Sequence, residues 1–150
     1  MRIRLSFSIL LIVLVVSCGN SQNRDIEKVL DTREKAFETK DEGLYMSLIS
    51  PEYKQEQKGK IIGPDEVRKN FNINVRLFDS VNLSTSDRTI YRDGDKAEVF
   101  QKTIVDARDD EGNKKLKLNE KIALARINGK WLIVKESDED FFYGFVFGQN

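Results

Sequence analysis

Histidine is absent from all 150 residues, and cysteine occurs once, at position 18. The first absence removes histidine-based triads, histidine general bases and histidine-containing zinc sites. The second leaves no internal disulfide, so hydrophobic packing must hold the fold. Neither charge is in excess: 25 basic residues face 25 acidic ones. That balance excludes the broad basic field of a nucleic-acid-binding chain, and no nucleic-acid partner is expected. No glycine-rich phosphate loop is present. What remains is a chain of one-domain length, enough for an independent core.

The first seventeen residues differ from the rest. Their only charges are Arg2 and Arg4, and from Leu5 to Val16 an apolar run is broken only by Ser6 and Ser8. That run is about twelve residues, or roughly 18 Å as a helix, whereas a bilayer core needs about twenty. A basic start, a short apolar run and a small residue before a break describe a secretory signal peptide over 1–17. Its end, Val15-Val16-Ser17-Cys18, resembles the lipobox of bacterial lipoproteins. The resemblance implies cleavage after Ser17 and lipidation of the Cys18 sulfur, with palmitate-type chains and the membrane as partner. One acyl chain binds a membrane only marginally, so a diacylglyceryl thioether with a third chain on the amine suits stable anchoring. Gly19, where an aspartate often retains such proteins in the inner membrane, implies the outer membrane, facing the periplasm. A plain signal peptide and an uncleaved anchor are the alternatives. Loss of the leader removes Arg2 and Arg4, leaving 23 basic residues against 25 acidic ones. Residues 18–23 then form the lipidated cysteine and a short polar tether, and 24–150 a single domain.

From Arg24 the apolar period becomes helical. Ile26, Val29, Leu30, Ala36 and Phe37 form one stripe, interrupted by Arg33. Asp25 and Glu27 suit the start of that helix. A second helix fits Asp41 to Ile49, capped by Asp41 and ended by Ser50-Pro51. A third begins at Pro64, with Val67, Phe71, Val75 and Phe78 as its stripe and Asn70, Asn72 and Asn74 weakening it. The stretch EYKQEQKGKII between them fits a loop or a small hairpin. After Asp79 three turn signals, RDGD at 92–95, DDEGN at 109–113 and NG at 128–129, divide four strands near 80–91, 96–108, 115–127 and 130–138. Short connections make them an antiparallel meander. The Asn-Gly turn sets a register in which Ile127 faces Lys130, Arg126 faces Trp131, Leu124 faces Ile133 and Ile122 faces Lys135. Leu116, Leu118, Ile122, Leu124, Trp131 and Ile133 then share one face; Ala123, Ala125, Ile127, Leu132 and Val134 share the other. The helices can cover one face. The C-terminal tail or a second subunit must cover the second.

Helices followed by such a meander resemble the nuclear transport factor 2-like (NTF2-like) superfamily, also called SnoaL-like or cystatin-like. The resemblance spans about 24–147 and rests on element order, on VLDTREKAFETKD leading to SLISPEY, and on NGKWLIVKESD near the end. It implies an α+β fold in which N-terminal helices pack on a curved, cone-like four-stranded sheet whose open end can hold a small apolar ligand. Some members are isomerases, hydratases or cyclases; many are non-catalytic binding modules, and many dimerise through the sheet. Fold does not choose among these.

The resemblance also implies where chemistry would sit, in a carboxylate inside the cone with a tyrosine or acid as donor. Glu98, Asp106 and Glu120 are the candidates assigned to the Trp131 face, with Tyr45 and Tyr53 as donors. Against a catalytic role, Lys102 is expected opposite Glu120, where a cross-strand ion pair explains both. The acidic turn DARDDEGN fails as a calcium loop, since aligning Gly112 puts Ala107 first and Leu118 last. No metal or cofactor is expected. The tail carries five aromatics in seven residues, Phe141, Phe142, Tyr143, Phe145 and Phe147. They fit either a final strand packed on the domain or an interface for a homodimer or an envelope protein. The leading expectation is a lipid-anchored, non-catalytic binding or interaction module. A small-molecule enzyme of the same fold and a structural envelope protein are the alternatives.

Overall fold

The computed structural model describes residues 23–57 and 59–136. The leader, Cys18, most of the tether and the aromatic tail, Phe141 to Phe147 included, lie outside the described residues. The elements run α1 (Arg24–Thr39), α2 (Glu42–Met46), β1 (Gln55–Gln57), β2 (Lys60–Ile62), α3 (Pro64–Arg76), β3 (Ser80–Asp93), β4 (Lys96–Asp109), β5 (Gly112–Ile127) and β6 (Lys130–Lys135). β3 to β6 form one antiparallel sheet in sequence order, and β1 pairs with β2 as a separate hairpin. This is an α+β domain with helices first and a four-stranded meander after them.

The helices close where their sequences provide for it. Lys40 adopts a left-handed conformation after α1, and its N–H reaches the carbonyls of Ala36 and Phe37. The Asp41 carboxylate accepts from the Leu44 N–H at 2.9 Å and caps α2. α2 is shorter than the sequence suggests. After it the chain extends along the free edge of β6: Ile133 donates to the Leu48 carbonyl, Ser50 to that of Ile133, and Lys54 to that of Val134. These bonds cover an edge strand that would otherwise expose unpaired backbone groups. The asparagines of α3 are used, not merely tolerated. Asn72 donates to Glu42 of α2, and Asn74 to the Asn70 carbonyl.

Stripe residues of α1 and α3 share one core with the inner sheet face. Ile26, Leu30, Ala36, Phe37, Val67, Phe71 and Val75 pack with Val81, Leu83, Val99, Val105, Ile122, Leu124, Trp131 and Ile133. At the centre, Tyr45 stacks on Phe71 at 4.5 Å between ring centroids, and Phe37 meets both rings at about 5 Å.

Two bulges decide which polar side chains turn inward. In β3, Ser86 faces Lys102 and Thr89 faces Phe100, so Asp87 and Arg88 together oppose one residue. Asp87 takes a positive φ of 51°, and Arg88 turns toward α1. In β6, Leu124 faces Ile133 but Ala123 faces Lys135, leaving Val134 as the extra residue. The expected pairing of Ile122 with Lys135 is thereby corrected. The first part of the hairpin, set by the Asn-Gly turn, keeps its expected register, and the bulge then reverses the facing. Lys135 turns out, and Glu136 turns in and is buried.

Candidate functional site

The interruption of the α1 stripe becomes the centre of the interior. Arg33 is 1% exposed, although its neighbours along the stripe are apolar. Its Nη2 donates to Glu120 Oε1 at 2.9 Å, and its Nε to Glu136 Oε1 at 2.7 Å. Glu120 comes from the inner face of β5, and Glu136 follows the β6 bulge. One helix and two sheet positions thus converge on a single guanidinium, whose fixed fork suits two carboxylates.

Further partners fix both acids. Glu120 Oε2 accepts from Gln101 Nε2 at 2.9 Å and from the Thr103 hydroxyl. Tyr45 donates its phenolic hydrogen to Glu136 Oε2 at 2.8 Å. Tyr53 accepts from the Glu136 backbone N–H and donates to Gln55 Oε1 at 2.7 Å. The network then runs outward. Gln101 Oε1 accepts from Arg88 Nε at 2.9 Å, and Arg88 bonds Glu34 at 2.7 Å and Asp31 at 3.1 Å on α1. Arg88, carried by its bulge, therefore ties β3 to α1 at the rim of the buried cluster.

These contacts set the electrostatics. Burial disfavours the charge on Arg33, but Glu120 and Glu136 outweigh it and raise its pKa. Burial likewise pushes Glu120 up, while Arg33, Thr103 and Gln101 together hold it below the usual carboxylate value. Burial and then the nearby Glu136 push Tyr45 and Tyr53 up, so both phenols remain donors. A general base serves best with a pKa near the working pH. Glu120 is shifted the opposite way, and both its oxygens accept hydrogen bonds. The arrangement is suited to holding α1, the sheet and the β6 end in one geometry.

Of the five pocket candidates, Glu120, Tyr45 and Tyr53 come together here. Glu98 and Asp106 do not. The β4–β5 pairing places Gln101, not Lys102, opposite Glu120, which shifts the expected facing by one residue. Glu98 and Asp106 therefore lie on the outer face, bonded to Lys121 and Lys115 at 2.9 and 3.8 Å. Lys102 is also outside, paired with Asp87, so the expected Lys102–Glu120 pair is replaced by Arg33–Glu120. Glu136 escaped the sequence reading because only the bulge turns it inward. Arg33 left a signal, a charge within an apolar helical stripe.

A surface concavity of about 370 Å³ lies between the β1–β2 hairpin and α3, lined by Lys60, Ile62, Asp65, Glu66, Lys69 and Asn70. None of the five candidates lines it. Among the described residues no group of three or more cysteine or acidic side chains could hold a metal ion. Among them, too, no helix is long and apolar enough to cross a membrane.

No protein-family model matches the chain, and no curated protein sequence matches it. Solved structures do. A protein of unknown function with a cystatin-like fold from Nostoc punctiforme superposes with a TM-score of 0.64 at 20% identity, covering 76% of this chain and 86% of its own. A proposed dehydratase of the NTF2-like family from Streptomyces avermitilis gives 0.62 at 14% identity, covering 75% and 92%. A proposed scytalone dehydratase from Novosphingobium aromaticivorans gives 0.65 at 13% identity, covering 77% and 80%. At these identities the likeness establishes the cystatin-like, NTF2-like fold.

Proposed function

We propose that this NTF2-like domain is a non-catalytic binding or protein-interaction module, held through a lipid on Cys18 at the periplasmic side of the outer membrane. The observation that carries the non-catalytic reading is the commitment of both interior acids to Arg33. A dehydratase or isomerase needs a proton acceptor free to take a proton from substrate. Glu120 is fixed by three donor contacts, from Arg33 of α1 and from Gln101 and Thr103 of β4, and its pKa is lowered. The anchor reading rests on Val15-Val16-Ser17-Cys18 after a basic, short apolar leader. The partner is an envelope protein, a second copy or a small apolar molecule.

Two of the similar structures are described as proposed dehydratases. That keeps an elimination enzyme of the same fold as the second reading, with Tyr45 or Tyr53 as donor. Two measurements test the proposal. Intact mass and palmitate labelling of the full chain should show an acylated Cys18 and no label on Cys18→Ser; equal labelling of the two overturns the anchor. A turnover lost in a folded Glu120→Gln variant overturns the non-catalytic reading.

A further inference from the structure

We propose that the outer face of the four-stranded sheet docks on anionic phospholipid headgroups of the membrane that carries the Cys18 anchor. This rests on the anchored reading above and adds to it the surface that meets the bilayer. Charge is the first support. The outward side of the four strands carries Lys96, Lys102, Arg108, Lys115, Lys117, Lys121, Lys130 and Lys135, against Asp87, Asp93, Glu98 and Asp106, so bases outnumber acids two to one even though Lys102, Lys115 and Lys121 pair with Asp87, Asp106 and Glu98. The chain without its leader has 23 basic and 25 acidic residues, so this face is opposite in sign to the remainder. Basic residues close to an anionic leaflet are drawn to it.

The second support is aromatic. Tyr91 is 62% and Phe100 39% exposed, and their rings meet edge to face at 5.8 Å. Lys121 lies 5.3 Å from the centre of the Phe100 ring. Rings flanked by basic groups suit the boundary between headgroups and acyl chains.

The third support is where the chain enters. Lys40, at the end of α1, bonds the carbonyls of Phe78 and Asp79 just before β3, while Asp31 and Glu34 meet Arg88 farther along that strand. α1 therefore runs antiparallel to β3, and Arg24 lies toward the end of the sheet with the turns after Asp93 and Ile127. Tyr91 is close to that end. From Cys18 to Asn23 the chain spans at most about 18 Å, against about 10 Å between packed layers. The tether can pass the sheet edge, but it keeps the domain at the bilayer. A second copy fits this face less well, because a two-fold contact would bring together two surfaces of the same net positive sign.

The test uses the full chain with Lys117→Cys on the outer face or Lys28→Cys on the exposed side of α1. Each is reconstituted in phosphatidylglycerol–phosphatidylcholine vesicles, in phosphatidylcholine vesicles and in detergent. Labelling by a water-soluble maleimide is resolved by peptide mass. Lys117→Cys should label roughly tenfold more slowly on anionic vesicles than in detergent, with Lys28→Cys unchanged and protection lost in high salt. Adding Lys102→Gln and Lys121→Gln should weaken docking about fivefold for each charge removed. Equal labelling at the two positions overturns the proposal. So does equal protection on neutral lipid, and so does protection already present in detergent, which would mean cover by the C-terminal tail or a second copy. An intact mass without acyl groups overturns the anchor alone, since a chain held by an uncleaved leader still reports docking through the labelling ratio. A chain that leaves the vesicles altogether overturns both.

Discussion

Replacing Arg33 by methionine keeps much of the side-chain volume and removes the cation that bonds both Glu120 and Glu136. Both carboxylates then stay buried, Glu120 with Gln101 and Thr103 and Glu136 with Tyr45. Removing one partner of a buried ion pair costs about 3–5 kcal/mol, out of a total that is typically about 5–15 kcal/mol for a domain. Arg33→Met should therefore remain folded but lie close to the edge of stability. The pH dependence identifies the cause. In the wild type Glu120 is held below its unfolded value, so its contribution is present above a carboxyl pKa of about 4.3 and is lost as pH falls through the lower folded value. Without the guanidinium, burial dominates and raises the Glu120 pKa above the unfolded value. Its penalty then grows as pH rises through that value and is relieved by acid. The gap between the two proteins should be widest at neutral pH and narrow toward pH 4. Urea unfolding reads this through Trp131, the single tryptophan, which is 5% exposed. Converting Glu120 and Glu136 to glutamine in the same chain should recover most of the loss. A cost below about 1 kcal/mol at neutral pH, or one that does not change with pH, refutes the reasoning.

The same unfolding measurement checks three further variants. Tyr45→Phe removes the donor to Glu136 Oε2 and should cost about 1.5–3 kcal/mol, the range for a hydrogen bond to a charged group. Deleting Val134 removes the β6 bulge but leaves Lys135 opposite Ala123 and facing out, with Glu136 still facing in toward Arg33, so it should cost markedly less than Arg33→Met; a loss as large as that of Arg33→Met would contradict this register. Phe71→Ala empties the ring cluster between Phe37 and Tyr45 and should cost about 3–5 kcal/mol, with little pH dependence because no charge is exposed.

Much of the fold could be read along the chain. The α1 stripe, the Asp41 cap, Pro64 at the start of α3 and the three turns are local signals, and each element formed where its signal lay. The site was legible only in part. Glu120 follows from the expected facing, and Tyr45 and Tyr53 from the donors the family resemblance calls for; these three do converge, but Glu98 and Asp106 lie on the opposite face. The difference is one residue of register: a side chain changes face at every step of a strand, so a single slip or a single bulge reverses every later assignment. Arg33 appeared in the sequence as a defect in a stripe, with no sign that its partners would come from Glu120 and Glu136 far along the chain.

Composition alone determined that histidine chemistry and disulfides are unavailable, and local pattern determined helices before a meander. Tertiary structure decided the rest. It directed the buried acids onto Arg33 through a bulge at Val134. It also sorted a chain of balanced charge into a basic outer sheet face and an acidic remainder. Neither follows from counting residues, because facing depends on strand register, and register is settled by which turns close, where the bulges fall and which charges find partners on packing.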